Sequence, residues 1–90
     1  MTNFNGTITG ATDSLMHLSV AGPNHYHFSN SYRQSFNEPL NLSTGSYSVS
    51  MSATTDGSFE FNITGNVVST DPKVPDKFTN TMHMYDLEIL

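Results

Sequence analysis

Three histidines, His17, His25 and His27, are the residues whose type and spacing first suggest chemistry. His25 and His27 alternate with Tyr26 and Phe28, so on an extended strand their imidazoles share one face, about 6.6–7 Å apart at the backbone. A hairpin that sets Val20 against Tyr26 and Leu18 against Phe28 matches core to core and brings His17 diagonally across from the pair. Three imidazoles converging there could hold Zn²⁺ or Cu²⁺, with zinc–nitrogen bonds of about 2.0–2.1 Å. No acidic residue lies nearby in sequence to orient the rings, and surface strands carry histidines freely. The trio therefore stands as the alternative, and the expected cofactor is none.

Other constellations are weaker. Met82-His83-Met84, with Met16-His17, offers soft copper ligands, but alternation turns His83 away from both flanking methionines. Asp71 and Asp76 share a carbonyl-rich stretch without the spacing of a calcium loop. There is no Gly-x-Ser-x-Gly elbow and no His-Glu-x-x-His, and the absence of cysteine excludes disulfides and thiolate catalysis. The chain is expected not to be an enzyme.

Charge narrows the partners. Arg33, Lys73 and Lys77 face eight acidic residues, and a formal charge of −5 argues against nucleic acid, whose phosphates demand clustered basic residues. No apolar run approaches the ~20 residues that span a bilayer, so membrane insertion is not expected. The opening Met1-Thr2-Asn3-Phe4-Asn5 lacks the pattern of a signal peptide; the expected compartment is cytoplasmic as encoded, or extracellular where an export signal has been removed. A surface rich in Ser, Thr and Asn suits carbohydrate, but tryptophan is absent and alternation sends Tyr26, Tyr32 and Tyr85 inward.

The elements that must position these residues read as strands throughout, in one domain over residues 1–90. Leu42-Ser43-Thr44-Gly45-Ser46-Tyr47 is a turn feeding a strand over about 46–53, with Tyr47, Val49 and Met51 on one face and Ser46, Ser48, Ser50 and Ser52 on the other. The Tyr47 ring is expected on the core, its hydroxyl aimed at the preceding loop. Earlier strands fall over 3–10, 15–21 and 25–29; Gly6 on the inner face of the first implies a bulge or a close neighbour. Ser29-Asn30-Ser31 reads as a loop and 32–37 as a short strand with Tyr32 and Phe36 inward. Asp56-Gly57 turns the chain, and Phe59, Phe61 and Ile63 are expected to return antiparallel beside Tyr47, Val49 and Met51. Residues 65–80, with the two prolines Pro72 and Pro75, read as an irregular crossover between sheets, and 81–90 as a final strand with Tyr85, Leu87 and Ile89 inward. The whole is an all-β Greek-key β-sandwich of about seven strands, without helix.

Asn5-Gly6-Thr7-Ile8-Thr9-Gly10 as an opening strand, Phe36 to Leu42 before a turn, and Leu42, Gly45 and Tyr47 at that turn together resemble the carboxypeptidase-regulatory-like and Cna-B-like domains. The resemblance implies a prealbumin-like sandwich and a non-catalytic stability, spacer or adhesion role. Cna-B domains often carry a lysine in the first strand for an isopeptide bond; here Lys73 and Lys77 lie in the crossover, so none is expected. Hydroxyisourate hydrolases of the same general fold end in Tyr-Arg-Gly-Ser, whereas this chain ends Tyr85-Asp86-Leu87-Glu88-Ile89-Leu90.

The expected function is therefore interaction with a protein partner or with copies of the same chain through a strand edge. Thr81-Met82-His83-Met84-Tyr85 carries no lysine or proline to guard such an edge, and Met82 and Met84 point outward where polar residues are usual, as candidate partner-binding residues.

Overall fold

The strand over Gly45–Thr55 shows the rule that folds the rest of the chain. Tyr47, Val49, Met51, Ala53 and Thr55 are buried, while Ser46, Ser48 and Thr54 are exposed, because successive side chains leave a strand on opposite sides. In this computed structural model, which describes residues 1–90, the same alternation builds nine strands and no helix. They are β1 (Thr2–Thr9), β2 (Ser14–Ala21), β3 (His27–Tyr32), β4 (Phe36–Leu40), β5 (Gly45–Thr55), β6 (Ser58–Gly65), β7 (Val67–Asp71), β8 (Asp76–Lys77) and β9 (Thr81–Ile89). One sheet has the order β4-β1-β6-β8 and the other β3-β2-β5-β9-β7, with every pair antiparallel. The two pack as a sandwich around one apolar layer that includes Phe4, Met16, Leu18, Val49, Met51, Phe59, Phe61 and Leu87. The all-β sandwich is as expected; the strand count is nine because the 65–80 crossover contributes β7 and β8 to the sheet margins.

Only β2 and β3, among consecutive strands, lie in the same sheet. This corrects the expected hairpin of β5 and β6: β5 pairs with β2 and β9, whereas β6 pairs with β1 and β8. The alternating pattern of the two strands demands only that their apolar faces meet. They meet across the core instead of side by side. The β1–β2 and β5–β6 connections thus form two arches laid on each other, with β1 beside β6 and β2 beside β5.

Local chemistry joins the two arches. The Asp56 carboxylate accepts hydrogen bonds from the backbone N–H of Thr12 at 2.9 Å and of Asp13 at 3.3 Å, and from the Thr12 hydroxyl. Those bonds, the Thr12 hydroxyl's foremost, hold the Asp56 carboxyl below the usual carboxylate range. Gly57 is required beneath it, since an added Cβ would stand 2.5 Å from the Thr9 carbonyl oxygen. Gly6 is likewise the close neighbour expected, without a bulge: the Phe36 ring occupies the space of a side chain, 2.2 Å from an added Cβ.

The β2–β3 hairpin forms in a different register from the one expected. Asn24 and His25 take left-handed φ values of 59° and 62°, and Gly22 N–H to Tyr26 C=O (3.1 Å) and Tyr26 N–H to Pro23 C=O (3.2 Å) close a loop over 22–26. The strand therefore begins at His27, and Val20 faces Phe28. Ser29, Asn30 and Ser31 lie within β3 and not in a loop; at a sheet margin polar residues on both faces stay hydrated. Tyr32 ends β3 and Phe36 begins β4 in the other sheet, their rings stacked at 3.8 Å. Nor is β9 an edge: it lies between β5 and β7.

Tyr47 behaves as its sequence position implies. Gly45 enters the strand at φ 150°, and the Tyr47 ring, 4% exposed, meets Tyr26 edge-on at 5.9 Å. Its hydroxyl donates to the Ser43 carbonyl at 2.8 Å. Tyr47→Ala is expected to cost ~3–5 kcal/mol in denaturant melts, a large share of a total near 5–15. Tyr47→Phe, which removes the strut and keeps the ring, should cost about 0.5–1.5. A loss below about 1 kcal/mol for the alanine variant would contradict this packing.

Candidate functional site

The structure does not bring the three histidines together. His17 projects from the outer face of β2, opposite Ser31, and its Nδ1 lies 2.8 Å from the Ser31 hydroxyl. His27 sits four residues along β3 from Ser31, roughly 13 Å at strand rise, with Nε2 3.4 Å from the Ser19 hydroxyl. His25 occupies the left-handed loop, off the strand altogether. No group of three or more His, Cys, Asp or Glu residues is placed to hold a metal ion. Asp71 and Asp76 are also parted, one on β7 and the other on β8 in the opposite sheet.

One polar cluster escaped the sequence reading. Asp76 Oδ2 accepts the Tyr85 hydroxyl at 2.8 Å and lies 2.9 Å from His83 Nδ1, while Phe78 stacks on the imidazole at 4.1 Å. These groups tie β8 of one sheet to β9 of the other. Burial raises the Asp76 carboxyl, but the hydrogen bonds from His83 and Tyr85 outweigh it and hold it below the carboxylate range. Burial, reinforced by that bond to Asp76, pushes the Tyr85 phenol well up. The arrangement orients an imidazole, yet the only hydrogen bond that ring makes is to Asp76, and no hydroxyl is joined to its other nitrogen. It acts as a clasp between sheets. Inward parity of Tyr85 on β9 was the available signal, since a buried phenol needs a partner. Which partner it has depends on where the crossover lays Asp76, and alternation does not encode that.

The largest concavity, about 580 Å³, is an open groove lined by Asp13, Arg33, Thr54, Asp56 and Asn80 among others. Its polar groups are largely committed. Asp56 bonds the arch, Asn80 Oδ1 accepts the Thr55 N–H at 3.2 Å, and Arg33 reaches Asp13 only at 4.0 Å with both side chains solvated.

The outer face of the five-stranded sheet is more distinctive. Across it run Ser31, His17, Ser52 and Met82 in one row, and Ser29, Ser19, Ser50 and Met84 in the next. Met82 and Met84 are 55% and 59% exposed, as their parity implied, and His83 between them points inward. Below them on the same face stand Asp86 and Glu88, with Asp71 of β7 directly opposite Asp86. Like charges facing each other across a ladder are destabilising. None of the five strands of this sheet contains a lysine or arginine.

Comparison with models of known protein families, with curated proteins and with solved structures finds no match, so none of them assigns the chain to the carboxypeptidase-regulatory-like or Cna-B-like domains.

The clasp generates a pH prediction. A carboxyl whose folded pKa lies below its unfolded value of about 3.9 contributes stability that is complete above that value and is lost as pH falls through the folded one. Asp76→Asn is expected to lower stability by about 1 kcal/mol at neutral pH and to flatten the decline of stability below about pH 4, read by urea melts across pH. An unchanged acid profile would contradict the assignment.

Proposed function

We propose that the protein is a non-enzymatic interaction module whose working surface is the outer face of the five-stranded sheet, and that its partner is a protein segment of mixed apolar and basic character. The observation that carries this reading is the exposed pair Met82 and Met84 on a regular face whose other groups are mainly hydroxyls and carboxylates, with His17 and the exposed Leu15 among them. Methionine is flexible and polarisable, so it can fit irregular apolar surfaces at low cost. Around the pair, small serines let a partner backbone approach closely. The unopposed carboxylates of Asp71, Asp86 and Glu88 select against an acidic partner and favour lysine or arginine. A patch of two methionines is small, so affinity is modest and rests on both terms.

The test uses a synthetic peptide of alternating leucine and lysine and its counterpart with glutamate for lysine. The lysine peptide is expected to shift the Met82 and Met84 methyl resonances, more weakly at high salt, while the glutamate peptide leaves them unmoved. A Met82→Ser, Met84→Ser double variant, folded by its circular dichroism, should lose the lysine peptide's binding at least severalfold. Equal responses to both peptides, or binding undiminished in the double variant, would overturn the reading.

A further inference from the structure

The sandwich has four sheet margins: β4 and β8 in the four-stranded sheet, β3 and β7 in the five-stranded one. A bare margin is a row of unpaired N–H and C=O groups, and folded proteins blunt it with proline, charge, a bulge or brevity. Three of these margins are blunted. β4 carries Glu38 and Pro39; β7 is bulged between Val67 and Ser69 and runs out at Asp71-Pro72; β8 is two residues long and includes Lys77, leaving beyond it only the short end of β6 over 62–65 uncovered, where the Ile63 N–H donates to the Asn62 side chain. The fourth, β3, reads His27-Phe28-Ser29-Asn30-Ser31-Tyr32, with no proline, lysine or acid. It pairs with β2 in unbroken register from Met16 opposite Tyr32 to Ala21 opposite His27.

The Ser31 N–H bonds the side chain of Asn30 at 2.9 Å and not β2. In an antiparallel ladder, outward and inward groups alternate by residue, so the backbone groups of Ser29 and Ser31 face the open side together.

We infer that this margin pairs with β3 of a second copy of the chain, antiparallel about a two-fold axis, with Asn30 opposite Asn30, Ser29 opposite Ser31 and Phe28 opposite Tyr32. The choice of a second copy follows from charge. A chain of net charge −5 repels itself over most of its surface, so a contact between copies belongs where neither contributes a formal charge. β3 itself carries none; of the charges that border it, Glu38 is held by the Tyr32 hydroxyl at 2.6 Å and the Asn30 amide at 3.4 Å, and Arg33 lies just past its end. The register follows from faces. Phe28 and Tyr32 are half-buried on the inner side, and only even displacements keep them there. The displacement named joins Phe28 to Tyr32 of the second copy twice over; the next one sets Phe28 against Asn30. In the paired state Ser31 N–H leaves the Asn30 side chain for the Ser29 carbonyl of the second copy.

This contact is separate from the methionine face proposed above, and the experiment distinguishes them. Sedimentation equilibrium of the wild type over a wide concentration series is expected to move from the 9.9 kDa monomer toward twice that mass. Ser29→Lys, whose side chain stands exposed on the outer face, and Ser29→Pro, which removes the outward N–H, should both stay monomeric. Met84→Lys should dimerise like the wild type. Thermal melts by circular dichroism establish that each variant is folded, and Ser29→Lys alone suffices if proline disturbs the hairpin. A wild type that is monomeric at every concentration would overturn the inference. So would a dimer that survives Ser29→Lys, or one that Met84→Lys abolishes.

Discussion

Neither sheet of this protein can be completed without the apolar layer between them. Every connection except the β2–β3 loop carries the chain from one sheet to the other, so strands adjacent in a sheet are mostly distant in sequence: Thr2 pairs with Gly65, and Gly45 with Ile89. No local hairpin supplies a stable nucleus apart from that one. The burial of Phe4, Phe61, Met51 and Tyr85 against one another must therefore develop together with the ladders it supports. Such topologies close long loops before the contacts that reward them, and folding in the millisecond-to-second range is expected on that ground.

The same constraint decides which surfaces remain for recognition. Most inward positions are spent on the layer, and its polar exceptions other than the buried Thr2 hydroxyl are satisfied locally: Tyr47 by the Ser43 carbonyl, Tyr85 by Asp76, and the Ser14 and Thr55 hydroxyls by each other at 2.8 Å. What is left is two sheet faces and their margins. The four-stranded face presents Asn37, Asn5 and Asn62 in one row, and Glu60 beside Lys77, a polar and charge-balanced surface. The five-stranded face has no basic residue, two exposed methionines and one unguarded margin. That asymmetry is the physical basis of the proposed interaction role.

Much of this was legible in the sequence, and the divide between legible and illegible is physical. Alternation reports which face of a strand is buried, so Tyr47, Val49, Met51, Tyr85, Leu87 and Ile89 were placed inside and Met82 and Met84 outside. Alternation is silent on which strand lies alongside. Phe59, Phe61 and Ile63 satisfy the same pattern as hairpin neighbours of β5 or as its cover across the core, and only the arch geometry, sealed by Asp56 on Thr12 and Asp13, selects the second. The histidine trio was lost to loop length. Two left-handed residues, Asn24 and His25, lengthen the β2–β3 loop and move the register by one full pleat, preserving the faces and separating the imidazoles. The clasp at Asp76 was hidden because it joins a crossover residue to a strand in the opposite sheet.

The paired arches, with β3 left open beside them, are the arrangement on which both the fold and its free margin depend. Native-state amide hydrogen exchange on a dilute, monomeric sample measures this directly. Backbone-bonded amides of β1, β2, β5 and β6 should exchange with one common free energy, that of global unfolding, while the amides of Ser29 and Ser31 exchange far faster. Amides of β5 and β6 opening together as an independent hairpin, apart from β1 and β2, or protection of Ser29 and Ser31 equal to the core's, would contradict it.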